Sequence, residues 1–140
     1  MSYKAIKDEL ETLLTGIEAS TDLNETFRYP KPVSDEYPYA QILTGPANEI
    51  LMDTGTNETV YVIDIVVSDS NKDRSVMEER MEVIIDAILA ELRKKVNCTL
   101  SGITMGGTTY AVVWGFAYDK TTPLRQATIT CNFRVASNLL

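Results

Sequence analysis

The run Thr59-Val60-Tyr61-Val62-Ile63-Asp64-Ile65-Val66-Val67 constrains this chain more than any other segment. β-Branched and aromatic side chains suit a pleated strand and lose rotamer freedom in a helix. The two-residue period of a strand puts Tyr61, Ile63, Ile65 and Val67 on one side. The other side carries Val60, Val62 and Val66, interrupted only by Asp64. A strand in a sheet covered on one face has one polar side, so this strand needs cover on both. Two arrangements supply it. One is a central strand with a helix on one side and a loop on the other; the second is a subunit interface over the outer side. Val60, Val62 and Val66 are accordingly the candidate interface residues.

The C-terminal third reads differently. Gln126-Ala127-Thr128-Ile129-Thr130-Cys131-Asn132-Phe133-Arg134-Val135 alternates cleanly and predicts a strand with one wet face. With Thr108 to Tyr118, joined through Asp119-Lys120-Thr121-Thr122-Pro123, it predicts a terminal β-hairpin spanning Arg125 to Ala136 on its second arm. A shorter strand fits Thr99 to Thr104. Tyr110, Val112, Trp114, Phe116 and Tyr118 share one strand face, which favours core over a ligand platform. Met105-Gly106-Gly107-Thr108-Thr109 lacks the Lys-Ser/Thr of a phosphate loop and opens a strand instead of a helix, so it reads as a flexible turn.

Two helices are predicted. Tyr3, Ile6, Leu10, Leu13, Leu14 and Ile17 fall at steps of three and four, giving a helix from Ser2 to Glu18 capped by Ser2, with Gly16 as an alternative end. After the polar Ser68 to Asp73 cluster, Met77, Met81, Ile84, Ile85, Ile88 and Leu92 trace one face of a helix down to Val96. Between helix one and the Thr59 strand, the prolines of Tyr29-Pro30-Lys31-Pro32 and Tyr37-Pro38 predict a loop with a strand at most at its start. Tyr39 to Thr44 and Glu49 to Asp53 then read as short strands around a Gly45-Pro46 turn, followed by a polar tip at Asp53 to Glu58. Hairpin connections outnumber crossovers, so the fold class is α+β: a mainly antiparallel sheet with both helices on one face. At 140 residues, without a linker or repeat, this is a single domain over 1–140.

Residues suited to catalysis are sparse. The chain has no histidine, the commonest general base and metal ligand. Cys98 and Cys131 have no companions for a four-ligand metal site and read as reduced, partly buried thiols. The expectation is a protein that is not an enzyme and takes no cofactor or metal. A charged start where a secretory signal needs apolar residues, and no membrane-spanning run, predict a protein made and kept in a cytoplasm with no membrane partner. Formal net charge is −7, which opposes adhesion to nucleic acid. Glu78, Glu82 and Asp86 stack at steps of four along one ridge of helix two. They form either a solvated helix face or an acidic lining that meets a basic partner or keeps DNA from adhering.

The order of elements, with Phe27-Arg28-Tyr29-Pro30, Tyr61-Val62-Ile63-Asp64-Ile65 and Asp73-Arg74-Ser75-Val76-Met77 at their places, resembles the tail terminator, or tail-completion, proteins of long-tailed bacteriophages and prophages. The resemblance implies a ring, typically of six subunits, that caps the tail tube, ends its polymerisation and offers the surface on which the head docks. Its partners would be copies of itself, the tail tube protein and the head or neck connector proteins, at the tail-neck junction of the virion. DNA would pass through the ring without specific binding. A head-to-tail adaptor of the neck is the nearest alternative. From another class, a cytoplasmic small-molecule-binding regulatory domain would hold its ligand between sheet and helices near Trp114.

Overall fold

The computed structural model describes residues 3–30, 36–51, 56–95, 99–100, 103–119 and 122–138. Along the chain run α1 (Tyr3–Glu18), β1 (Glu25–Phe27), β2 (Tyr39–Leu51), β3 (Thr56–Asp69), α2 (Arg74–Lys95), β4 (Thr99–Leu100), β5 (Ile103–Asp119) and β6 (Thr122–Asn138). The strands form one sheet in the order β1-β2-β3-β6-β5-β4, antiparallel except for the short parallel β1-β2 pair. The fold is α+β with the terminal hairpin expected from the sequence. The doubly apolar strand is central, as its composition requires, with β2 on one side and β6 on the other.

Register sorts the core. Ile65 lies opposite Ile42 on β2 and Ile129 on β6; Ile63 opposes Cys131, and Val67 opposes Ala127. These residues form one buried face of the sheet. Onto it pack Ile6, Leu10, Leu14 and Ile17 of α1 and Met81, Ile84, Ile85, Ile88 and Leu92 of α2. Each such side chain contributes about 1.5–3 kcal/mol by leaving water. Both helices therefore lie on the same face of the sheet. Val112 and Trp114 of β5 pack against the margin of this core.

Helix ends follow local hydrogen bonding. Gly16 does not end α1, which continues to Glu18; the N–H groups of Ser20 and Thr21 then donate to the Ile17 carbonyl at 3.0 and 2.9 Å. At the start of α2, Asp73 Oδ1 accepts from the N–H groups of Ser75 and Val76 at 3.1 and 3.3 Å, the geometry of an N-cap. Ser2, Val96 and Cys98 lie outside the described residues.

Two expected turns are strand bulges. Tyr39–Leu51 is one continuous strand, not two around a Gly45-Pro46 turn. Thr44 pairs with Ile63 and Ala47 with Tyr61, so Gly45 and Pro46 together face the single residue Val62. Such a bulge accommodates a proline without a ladder donor. It also needs a glycine: a Cβ on Gly45 would come within 2.6 Å of the Val62 carbonyl oxygen. Likewise the Met105 to Thr109 segment is not a turn but part of β5. Met105 pairs with Val135 and Gly107 with Arg134, leaving Gly106 as the extra residue. Of the polar tip at Asp53 to Glu58, Thr56, Asn57 and Glu58 already belong to β3.

Candidate assembly surfaces

The face of the sheet turned away from the helices is set by the residues that alternate with the core. Val60, Val62, Asp64 and Val66 form its centre, with Leu43 beside Asp64 on β2 and Thr128, Thr130, Asn132 and Arg134 on β6. Ala111 and Val113 extend it onto β5. One end is covered by the chain itself. Phe27 and Tyr37 pack their rings against Tyr39, with centroids 5.9 and 5.4 Å apart. Tyr39 and Gln41 are buried. Beyond this aromatic cover Leu43, Val60, Val62 and Val66 are half-buried, and Val113 is 65% exposed. Amid the valines, Asp64 Oδ1 is shielded from solvent and accepts no hydrogen bond from the described residues.

On the opposite side of the molecule, the three acids of α2 part company. Glu78 is held by Arg125 through two hydrogen bonds, Nε to Oε2 at 2.9 Å and Nη2 to Oε1 at 3.0 Å. The same guanidinium donates to the Gly115 carbonyl at 3.2 Å and lies 4.9 Å from the centroid of the Trp114 ring. Glu78 thus belongs to a clasp between α2 and the terminal hairpin, while Glu82 and Asp86 stand exposed. The clasp also occupies a face of Trp114, where a ligand was expected on the regulatory-domain reading. Nothing at Arg125 in the sequence announces the pairing, because its partner is 47 residues away.

A second clasp fixes the start of α2. Asp69, at the end of β3, is fully buried and receives Arg80 Nε at 2.8 Å and Nη2 at 2.6 Å. Asp69 Oδ1 also accepts the Ser70 N–H at 2.8 Å. Donation of these hydrogen bonds to Asp69 raises the Arg80 pKa further and keeps the guanidinium charged. The Ser68 to Asp73 cluster was expected only as a helix entry; its buried carboxylate has no signature in the sequence.

Around α1 the charges are paired near the surface. Lys4 donates to Asp8 at 3.0 Å, and Arg28 bonds to Asp8 from the other side and lies 3.2 Å from Glu11. The Lys4 hydrogen bond, then Arg28, holds the Asp8 carboxyl below its ordinary pKa. Lys7 donates to the Arg28 carbonyl at 2.7 Å, and burial followed by the nearby Arg28 charge lowers its pKa. Between the helices runs an open groove of about 530 Å³ lined by Leu13, Gly16, Ile17, Ala87 and Ala90 together with Glu9 and Glu91.

Cys131 is buried and free, its thiol pushed up to about 12 chiefly by burial and then by the charge of Asp64. Among the described residues, no helix is long and apolar enough to cross a membrane.

No protein-family model matches the sequence. No curated protein matches it either. The fold is similar to that of a chain in a solved structure of the virion of a native gene transfer agent (GTA) particle. The TM-score is 0.58 at 14% sequence identity, covering 97% of this chain and 100% of that one. At this identity the likeness is one of fold, carried from α1 to the terminal hairpin.

Proposed function

We propose that this chain is a structural protein of a phage-like virion, a subunit of a ring that caps the tail tube, ends its growth and presents the surface on which the head docks. The observation that carries this reading is the end-to-end likeness of fold to a chain of a gene transfer agent virion. The half-buried valines of the helix-free face support it. Val60, Val62 and Val66 are apolar, central and only partly covered, the condition of a surface that completes its burial against another subunit. The ring is hexameric on this reading, and its acidic charge lets a duplex pass because phosphates are repelled, not gripped. Glu82 and Asp86 are the residues proposed to face that passage, while Glu78 is engaged by Arg125. The protein works by assembly and not by catalysis, with tail tube and neck proteins as its partners.

Electron microscopy of particles made without this protein tests the assignment. Tails that outgrow their normal length and lack heads are the expected result. Tailless heads beside normal-length tails would assign the chain to the neck as an adaptor, and intact particles would remove it from the assembly pathway.

A further inference from the structure

The two long edges of the sheet are built differently. β1 pairs with β2 only at Tyr39, Ala40 and Gln41, so the rest of the β2 edge has no strand beside it among the described residues. That edge carries devices that discourage pairing: Pro46 without an N–H, a bulge at Gly45, and the Tyr3 hydroxyl donating to the Gly45 carbonyl at 2.7 Å. At the other margin, β4 covers β5 only at Ile103 and Thr104. From Met105 to Asp119 the outer edge of β5 has no strand beside it among the described residues, a length on the order of 50 Å at the rise of an extended strand.

This second edge carries little of the usual protection. From Val96 to Tyr118 the sequence contains no Asp, Glu, Lys, Arg or Pro, although charged residues make up 24% of the chain. Ala111, Val113 and Gly115 are exposed on it. Natural edge strands are shortened, charged, interrupted by proline or covered, because a bare row of N–H and C=O groups templates another strand. Gly106 makes one bulge near its start and the Arg125 guanidinium donates to the Gly115 carbonyl; the strand's own residues carry no charge as far as Tyr118.

We infer that the outer edge of β5 is a strand-acceptor site, occupied in the assembled protein by an extended segment of a neighbouring copy of this chain. The occupant follows from charge. Copies carrying a net −7 repel over most of their surface, whereas the neutral stretch along β5 lets two copies approach without opposing like charges. Backbone hydrogen bonds then supply the attraction, and the exposed Val113 and Ala111 gain cover from the added strand. Taking the occupant to be a second copy rests on the assembly reading above; the exposed neutral edge itself does not.

Hydrogen exchange on the full chain, read at single-residue resolution in the assembled protein and in an Ala111→Lys/Val113→Lys variant, tests the inference. Both substituted side chains are exposed, so the variant is expected to fold with an unchanged melting temperature and to remain monomeric. In the assembly all β5 amides from Met105 onward should exchange slowly. In the variant every second amide, those pointing away from β6, should exchange at least tenfold faster. An assembly whose outward β5 amides exchange as fast as those of the variant overturns strand addition and leaves the ring reading standing. A wild-type protein that stays monomeric at every concentration and beside tail tubes overturns both.

Discussion

Arg80 grips the fully buried carboxylate of Asp69 with two hydrogen bonds, one from Nε and one from Nη2, and so ties the second turn of α2 to the end of the central strand. Removing the cation alone strands a charge with no water to receive it. Arg80→Met is therefore expected to destabilise the fold by about 3–5 kcal/mol, measured by urea unfolding. The double variant Asp69→Asn/Arg80→Met should recover a large part of that loss. If Arg80→Met costs less than 1 kcal/mol, the ion pair is not what anchors α2.

Asp73 caps α2, and its carboxyl is held below the ordinary carboxylate value first by the Val76 N–H and then by the Ser75 hydroxyl and N–H. A depressed pKa means the folded state binds its proton less readily than the unfolded chain. The cap contribution is present above the unfolded value of about 3.9 and lost as pH falls through the folded value. Asp73→Ala should lower the melting temperature at pH 7 and lessen the wild-type advantage on acidification. Asp73→Asn, which keeps a capping oxygen without the charge, should sit closer to wild type at pH 7 with the same weakened acid dependence.

Cys131 should be inert while the protein is folded. Its thiol is buried and titrates near 12 against an ordinary value of 9.0, so iodoacetamide at pH 8 should leave it unmodified until denaturant is added, as peptide mass mapping would show. The sign of the pH effect follows from the same shift. The folded state keeps the proton longer than the unfolded one, so this contribution is complete below the ordinary value and declines as pH rises from there towards the folded value. Cys131→Val should flatten the alkaline side of the stability profile; an unchanged slope would contradict the burial of the thiol.

The parts of the fold legible in the sequence are those written by periodicity. The face of α2 from Met77 to Leu92, the α1 stripe from Ile6 to Ile17 and the two-sided apolar β3 all form as their spacing dictates. Glycine misled where it marks a bulge instead of a reversal. Gly45-Pro46 and Gly106-Gly107 have turn-like composition, but pairing of the flanking residues to β3 and β6 keeps the chain extended, and local sequence carries no record of those partners. The same limit applies to the charges. Glu78 looked like one member of an acidic ridge because helical spacing is visible and Arg125 is far along the chain. For the helix-free face, the alternation on β3 identifies Val60, Val62 and Val66 as needing cover, while the partial aromatic cover from Phe27, Tyr37 and Tyr39 depends on the pairing of β1 with β2, which local sequence does not record.

Closure of the proposed ring would complete the burial of Val60, Val62 and Val66 against neighbouring copies. Multi-angle light scattering of the purified protein over a hundredfold concentration range, alone and beside Val60→Lys/Val62→Lys, measures it most directly. Ring closure predicts one discrete species of fixed subunit number for the wild type, formed in solution or on adding tail tubes, and single subunits of unchanged fold for the variant. A wild-type chain that remains a single subunit throughout, with tail tubes present and still growing, would contradict it.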